Sequence, residues 1–98
     1  MRMGFSLHTT FHCDPAQQDA MLSKLEEMKG QFKSLAGVVD IYSAWRSDGH
    51  GVAVAIYESQ DAAQANSEKI QAIWGELGRF LTAEPKTETY DNVTHLTG

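Results

Sequence analysis

The chain has 98 residues and a formal net charge of -5, from 8 basic and 13 acidic residues. A chain of this length forms one domain, here residues 1–98, and its acidic balance disfavours nucleic acid and membrane surfaces as partners. The single cysteine, Cys13, excludes an intrachain disulfide, and no apolar run approaches the roughly 20 residues of a membrane-spanning helix. With no leader-like pattern at its start, the sequence predicts a soluble, cytoplasmic protein.

The first predicted strand lies in residues 3–11, where larger side chains alternate with small or polar ones. Asp14 and Pro15 then match the N-cap and first position of a helix, and Gly37 matches its end. Apolar residues recur every three or four positions along this segment, as in an amphipathic helix with one buried stripe. The stripe comprises Met21, Leu25, Met28, Phe32 and Leu35.

Two runs rich in β-branched and aromatic residues flank the sequence DGHG, which predicts a hairpin. DGHG lacks the lysine and the following helix of a phosphate-binding loop, so its glycines indicate a simple turn. We expect a turn of two or four residues that pairs Trp45 with Val54 and Ser43 with Ile56. One face would then carry Val39, Ile41, Trp45, Val52, Val54 and Ile56, and the other Asp40, Tyr42, Ala44, Arg46, Ala53, Ala55 and Tyr57.

A second helix is predicted to begin after Ser59, a favourable N-cap, and to end before Pro85. Its apolar stripe comprises Ala63, Ile70, Ile73, Trp74, Leu77 and Leu81. A last strand follows in the sequence KTETYDNV, with a register that the sequence leaves open. The order βαββαβ predicts a ferredoxin-like α+β fold, with a four-stranded antiparallel sheet and two helices on one face.

One face of this sheet should remain uncovered, because two helices can cover only the other. We assign the helices to the face that carries Val, Ile and Trp, since it offers the larger apolar surface. The opposite face is still half apolar, and exposed patches of that kind usually mark interaction sites. A second copy of the chain, related by a two-fold axis, would cover it. We therefore predict a homodimer in which two sheets form one barrel.

The layout, and especially AIYESQDAAQAN between the third strand and the second helix, resembles the dimeric α/β-barrel superfamily and its antibiotic-biosynthesis monooxygenase-like domains. Such proteins often have an aromatic residue, a polar residue and a serine at this junction, matched by Tyr57, Glu58 and Ser59. The resemblance implies oxygen chemistry by asparagine, tryptophan and histidine side chains. The first strand has no asparagine, with His8 and Thr10 as its central polar residues, and Asn66 lies instead in the second helix. The lack of an asparagine on the first strand and the position of Asn66 both depart from the pattern of the oxygenases and haem-degrading members of the family.

Five residues are candidates to line a ligand site: His8, Tyr42, Arg46, Tyr57 and Trp74. An arginine among tyrosines can hold an anionic aromatic molecule by paired hydrogen bonds and stacking. Arg46 could equally form an ion pair with Asp40 or with a carboxylate of the other subunit, and the catalytic residues are left unassigned.

Two further patterns concern possible sites: a pair of glycines close to Trp74, which has two explanations, and a pair of histidines, which cannot form a metal site. Gly75 and Gly78 are unfavourable inside a helix, and they either make room for a flat ligand beside Trp74 or allow close packing on the sheet. His8 and His12 would stand about 13 Å apart in an extended strand, too far to share one metal ion. We expect neither a metal nor a cofactor.

Three functions fit these features. The first is a cofactor-independent monooxygenase-like or isomerase-like enzyme acting on a small cyclic or aromatic metabolite, with His8 or a tyrosine as proton donor or acceptor. The second is a non-catalytic dimeric module that binds or senses a small ligand, and the third is a purely structural dimer. An internal cavity of about 300 Å³ or more would favour the first two.

Overall fold

The computed structural model describes residues 4–97, and its sheet has the order β2-β3-β1-β4, antiparallel throughout. Met3, the first residue of the predicted first strand, lies outside the described residues. The strands are β1 (Phe5–His12), β2 (Val38–Trp45), β3 (His50–Tyr57) and β4 (Lys86–Tyr90). The helices are α1 (Gln18–Glu27), α2 (Lys29–Lys33), α3 (Gln60–Ala65) and α4 (Ser67–Leu77). The predicted ferredoxin-like α+β fold is confirmed.

Each of the two predicted helices is divided into two shorter ones, and both begin as expected. Asp14 Oδ1 accepts a hydrogen bond from Ala16 N at 2.9 Å, which starts a 3-10 turn before α1. Ser59 Oγ accepts one from Ala62 N at 3.1 Å and caps α3. The breaks fall at Met28 and Asn66, which join the successive helices.

The hairpin between β2 and β3 has a three-residue loop, Ser47–Gly49, closed by a hydrogen bond of 2.8 Å from Arg46 N to His50 O. Gly49 has a φ of 96°, the left-handed conformation that ends such loops. The odd loop length pairs Trp45 with Gly51 and Ser43 with Ala53. The predicted pairs were wrong, because they assumed a turn of even length.

This change of register reverses the predicted faces of β3, since successive residues of a strand point to opposite sides. Ala53, Ala55 and Tyr57 lie on the helix-covered face. Their neighbours on β1 and β2 share this face, namely Phe5, Leu7, Thr9, Phe11, Ile41, Ser43 and Trp45. The opposite face instead carries Val52, Val54, Ile56, Tyr42, Ala44, His8, Glu88 and Tyr90. A bulge at Val39 further shifts the start of β2.

The core lies between the sheet and the helices and has an aromatic centre. Phe11 lies edge-on to Trp45, with ring centroids 4.9 Å apart, and 5.8 Å from the ring of Trp74. Met21, Met28 and Leu77 close over it from the helices. Within residues 4–97, the helices are all too short or too polar to cross a lipid bilayer.

Candidate functional site

A cavity of about 820 Å³ lies between the sheet and the helices. Its sheet side is formed largely by apolar residues of β1, β2 and β3, namely Leu7, Phe11, Ile41, Trp45, Ala53 and Ala55. Its helix side is formed by Met21, Leu25, Phe32, Ile70, Ile73, Trp74 and Leu77. The cavity is thus an apolar compartment whose walls come from almost every element of the fold.

The cavity exists because β3, a central strand, presents small side chains toward the helices along most of its length, before Tyr57 at its end. Gly51, Ala53 and Ala55 alternate on this face, while the bulkier Val52 and Val54 point to the other side. The helices span the resulting gap without filling it. Several residues of the two apolar stripes are consequently only half-buried and line the cavity: Leu25, Phe32, Ile70 and Trp74.

Tyr57 borders the cavity and carries a polar atom that the fold leaves without a partner among residues 4–97. Its side chain is fully buried, and its hydroxyl has no hydrogen-bond partner among residues 4–97. Leaving such a group unpaired costs about 1–3 kcal/mol, which a bound molecule with an acceptor atom would recover. Burial raises the pKa of the Tyr57 phenol. The hydroxyl is therefore protonated at neutral pH and available as a donor.

The other polar groups of the sheet wall are already paired with one another. Thr9 Oγ1 lies 2.8 Å from Thr87 Oγ1, a contact that joins β1 to β4. Trp45 Nε1 donates to Ser43 Oγ at 2.9 Å. These pairs make two small polar spots in an apolar wall, and they leave the Tyr57 hydroxyl as the donor without a partner in the described part of the chain.

Among residues 4–97, the charged side chains that border the cavity all lie at its exposed rim. Lys29 Nζ and Glu26 Oε2 form an ion pair of 2.9 Å on one side. On the other side the hydroxyl of Tyr42 donates a hydrogen bond of 2.6 Å to Asp40 Oδ2. That hydrogen bond raises the pKa of Tyr42, and the carboxylate charge of Asp40 adds to the effect. A ligand entering here would pass a polar rim before reaching the apolar interior.

Three of the five predicted ligand-lining residues border this cavity and two do not. Tyr57 and Trp74 form part of its interior wall. Tyr42 points to the open sheet face but belongs to the edge strand β2, and it borders the cavity at its rim. His8 lies on the opposite sheet face, with Nε2 3.0 Å from Ser6 Oγ and its ring against Tyr90.

Arg46 is at the hairpin, where Nη2 contacts Asp48 Oδ2 at 2.6 Å. The predicted alternative pairing of Arg46 with Asp40 is not formed, since Asp40 accepts from Tyr42.

Sequence reasoning missed the wall residues Thr9, Ser43, Ala53 and Ala55. The alternation of alanine with valine in β3 was a usable signal, because it marks one face of a central strand as too small to fill a core. Within residues 4–97, no group of three or more His, Cys, Asp or Glu side chains is arranged to hold a metal ion.

Comparison with known proteins gives a clear likeness in structure alone. No protein-family model matches the sequence, and no curated protein matches it. A protein of unknown function from Nitrosomonas europaea has a TM-score of 0.80 at 13% identity, covering 100% of this chain and 96% of that chain.

Two oxygenases are also similar in structure. The monooxygenase from the gene ActVA-Orf6 of Streptomyces coelicolor has a TM-score of 0.77 at 22% identity, covering 98% of this chain and 93% of that one. SnoaB, a cofactor-independent oxygenase from Streptomyces nogalater, has a TM-score of 0.73 at 15% identity, covering 98% of this chain and 99% of that one. The resemblance inferred from the sequence is confirmed for the architecture: the chain has the fold of the antibiotic-biosynthesis monooxygenase-like proteins.

Proposed function

We propose that this chain is a cofactor-independent monooxygenase-like protein that binds a small planar aromatic metabolite in the cavity between the sheet and the helices. The observation that carries the proposal is the side chain of Tyr57, which borders the cavity and whose fully buried hydroxyl has no partner among the described residues. A phenol, quinone or enol oxygen of the ligand would accept its hydrogen bond.

The size and composition of the cavity support an aromatic ligand. Its volume of about 820 Å³ falls within the usual range for small-molecule sites. Aromatic rings of Phe11, Trp45 and Trp74 form one end, and such rings favour offset or edge-on contact with another ring. The small face of β3 leaves a flat floor on which a planar molecule can lie.

The proposed chemistry uses the substrate itself as the reductant of dioxygen. An activated methylene group next to an aromatic ring loses its proton to a water molecule and becomes a carbanion, whose charge spreads onto a ring oxygen. The Tyr57 hydroxyl stabilises that oxygen by donating a hydrogen bond. The carbanion then reduces dioxygen, and the methylene group becomes a carbonyl group. One oxygen atom enters the substrate, and the other leaves as water with the two methylene hydrogens.

Structural neighbours support this reaction class. SnoaB is a cofactor-independent oxygenase, and the Streptomyces coelicolor monooxygenase was solved with the ligand nanaomycin D. Fold likeness alone does not transfer an activity, so the support comes from combining it with the cavity and its buried donor.

The decisive experiment compares wild type with Tyr57→Phe against a panel of anthrones, hydroquinones and naphthols. Binding is measured by calorimetry and by thermal shift, and turnover by dioxygen consumption in metal-free buffer. We expect Tyr57→Phe to weaken binding about tenfold, which is the loss of one buried hydrogen bond. Tyr42→Phe, at the rim, is the matched control and should bind as wild type does. Equal binding by Tyr57→Phe and wild type would refute the proposed role of this hydroxyl.

A non-catalytic binding or sensing module is the second candidate, and a specific observation favours it. The charged side chains that border the cavity lie at its exposed rim: Glu26, Lys29, Lys33 and Asp40. The described interior wall holds no carboxylate or imidazole to remove a proton. Tight binding of a phenol without dioxygen uptake would support this candidate over the enzyme.

The proposed active unit is a homodimer. The sheet face opposite the helices carries half-buried Val52, Val54 and Ile56, and beside them Tyr42 and Tyr90 are exposed. A second copy stacked on this face by a two-fold axis would remove these side chains from water.

The cytoplasm is the proposed location, because the thiol of Cys13 is free and buried.

A further inference from the structure

A second, shallower groove of about 440 Å³ lies beside the end of α4. It is lined by Trp74, Gly75, Gly78, Leu81 and Pro85, among others. Trp74 and Pro85 also line the main cavity, so these two residues form a wall shared by the cavity and the groove. The half-buried indole of Trp74 is thus placed between an internal compartment and an open surface space.

The glycines of this groove are not explained by close packing. A β-carbon added at Gly75 or Gly78 would meet no atom within 4 Å apart from its two chain neighbours and the nearby backbone of its own helix, and neither glycine has a positive φ. Both lie where alanine would be the more favourable residue. The alternative in which they allow the helix to approach the sheet is therefore wrong, and what they do is leave empty space next to Trp74.

We propose that Trp74 is a movable wall that sets the length of the ligand. In this proposal its indole turns out of the cavity into the groove above Gly78, and a longer planar molecule occupies the space that it leaves. A planar molecule short enough to end before Trp74 fits with the indole in place, and one that extends past this position requires the turn. The inference rests on the proposed function, since it concerns the molecule held by Tyr57 in the same cavity.

The helix geometry explains why residue 78 controls this movement. Gly78 directly follows α4 with a helical backbone, at φ -55° and ψ -34°, so it lies on the same face as Trp74, four positions earlier. Cα–Cβ bonds in a helix tilt toward its N-terminus, so a methyl group at 78 would project toward Trp74. Alanine at this position is compatible with the backbone but narrows the groove that the indole needs.

The ligand test compares Gly78→Ala with Gly30→Ala. Gly30 is an exposed glycine of α2 that likewise has no atom within 4 Å of an added β-carbon, which makes it the matched control. Both variants should unfold at higher temperature than wild type. We expect Gly78→Ala to bind a naphthoquinone as wild type does and to bind a four-ring quinone about tenfold more weakly. Trp74→Ala should bind the four-ring quinone more tightly. An unchanged ratio of the two affinities in Gly78→Ala would overturn the proposal.

A ligand-free readout separates failure of this inference from failure of the proposed function. The chain has two tryptophans, so in a Trp45→Phe variant labelled with fluorotryptophan the fluorine NMR spectrum reports on Trp74 alone. We expect exchange between two environments in that background and with Gly30→Ala, and one sharp signal with Gly78→Ala. Identical spectra for Gly78→Ala and Gly30→Ala would refute the proposed movement of Trp74, whether or not a quinone binds to the protein. If no quinone binds but the spectra differ as expected, the proposed function fails and the movement of Trp74 stands.

Discussion

The ring of Phe11 lies across Gly51, its partner on the neighbouring strand, so closely that no side chain fits between them. A β-carbon at Gly51 would collide with the ring. The glycine therefore lets Phe11 lie against the sheet and reach Trp45 and Trp74 at the aromatic end of the cavity.

Gly51→Ala should destabilise the protein, because the added methyl group forces Phe11 out of its position in the core. We expect a loss of about 1–3 kcal/mol in the free energy of unfolding, the usual range for overpacking. Gly30→Ala is the control and should gain about 0.5–1 kcal/mol from helix propensity. Denaturant unfolding of both variants measures the two effects. A Gly51→Ala variant as stable as wild type would contradict the packing described here.

Tyr57→Phe should leave the protein as stable as wild type or raise its free energy of unfolding by about 1 kcal/mol, because it removes an unpaired buried hydroxyl. Burial raises the pKa of Tyr57, so its contribution to stability is complete below pH 10.0, the ordinary value, and declines as pH rises through the folded value. Tyr57→Phe has no phenol to ionise at this position, so its free energy of unfolding should fall less than that of wild type as pH rises above 10.0. Denaturant titrations at neutral and alkaline pH check both statements, and a clear loss of stability at neutral pH would contradict the first.

Local patterns were sufficient to predict the fold. The N-caps at Asp14 and Ser59 and the stripes of apolar residues act within a few positions of the chain, and each is found where expected. The breaks at Met28 and Asn66 were not predicted, because the apolar periodicity continues through both. Asn66 is held there by contacts with Ala36, thirty residues away, which no local pattern reveals.

The candidate site was predicted only in part, because its location depends on the parity of one loop. A turn of two or four residues and the observed three-residue loop at Gly49 differ by a single residue, yet the difference moves Tyr57 from the open face to the cavity. Tyr57, a candidate ligand-lining residue from the sequence, borders the cavity, but from the helix-covered face and not from the open face on which it was predicted to lie.

The carboxylate of Asp48 organises the hairpin loop. Its oxygens accept hydrogen bonds from His50 N and Nδ1 at 3.1 Å and from Arg46 Nη2 at 2.6 Å. The bond from the His50 backbone contributes most, and together these contacts lower the pKa of Asp48 from 3.8 to about 2. Because the folded pKa is the lower one, the stabilisation is present above pH 3.8 and is lost as pH falls toward 2.

Asp48→Asn should therefore be less stable than wild type at pH 6, with a difference that shrinks as the pH approaches 2. Denaturant unfolding across this range measures the difference, and carbon NMR of the carboxyl group measures the pKa directly. Asp91 follows the last strand and accepts no bond among the described side-chain contacts, so Asp91→Asn serves as the control. A pKa of Asp48 near its ordinary value would contradict the arrangement of the loop.

Asn66 ties the break between α3 and α4 to the segment that precedes β2. Its buried amide nitrogen donates to Ala36 O at 2.8 Å and to Ala62 O at 2.9 Å. Asn66→Ala should cost about 1–3 kcal/mol in the free energy of unfolding, because two backbone carbonyl groups lose the donor that the buried amide supplies. Asn92→Ala, at an exposed position after β4, is the control and should change stability little. Equal stability of the two variants would show that this amide does not hold the helices.

Val54 lies in the middle of the open sheet face, between His8 on β1 and Tyr42 on β2. In the proposed homodimer it is covered by the second copy, and a charge there would have to be buried without a partner. We expect Val54→Asp to shift the protein to monomers at low micromolar concentration in analytical ultracentrifugation.

Gln64→Asp introduces the same charge on the exposed side of α3 and should leave the dimer intact. Tyr57→Phe should also leave it intact, because Tyr57 lies on the helix-covered face. Comparing the Val54 and Tyr57 variants in one experiment therefore shows which of the two sheet faces forms the dimer interface. A dimer that survives Val54→Asp but dissociates with Tyr57→Phe would reverse the assignment of faces, and a wild-type monomer would remove the need for a partner at all.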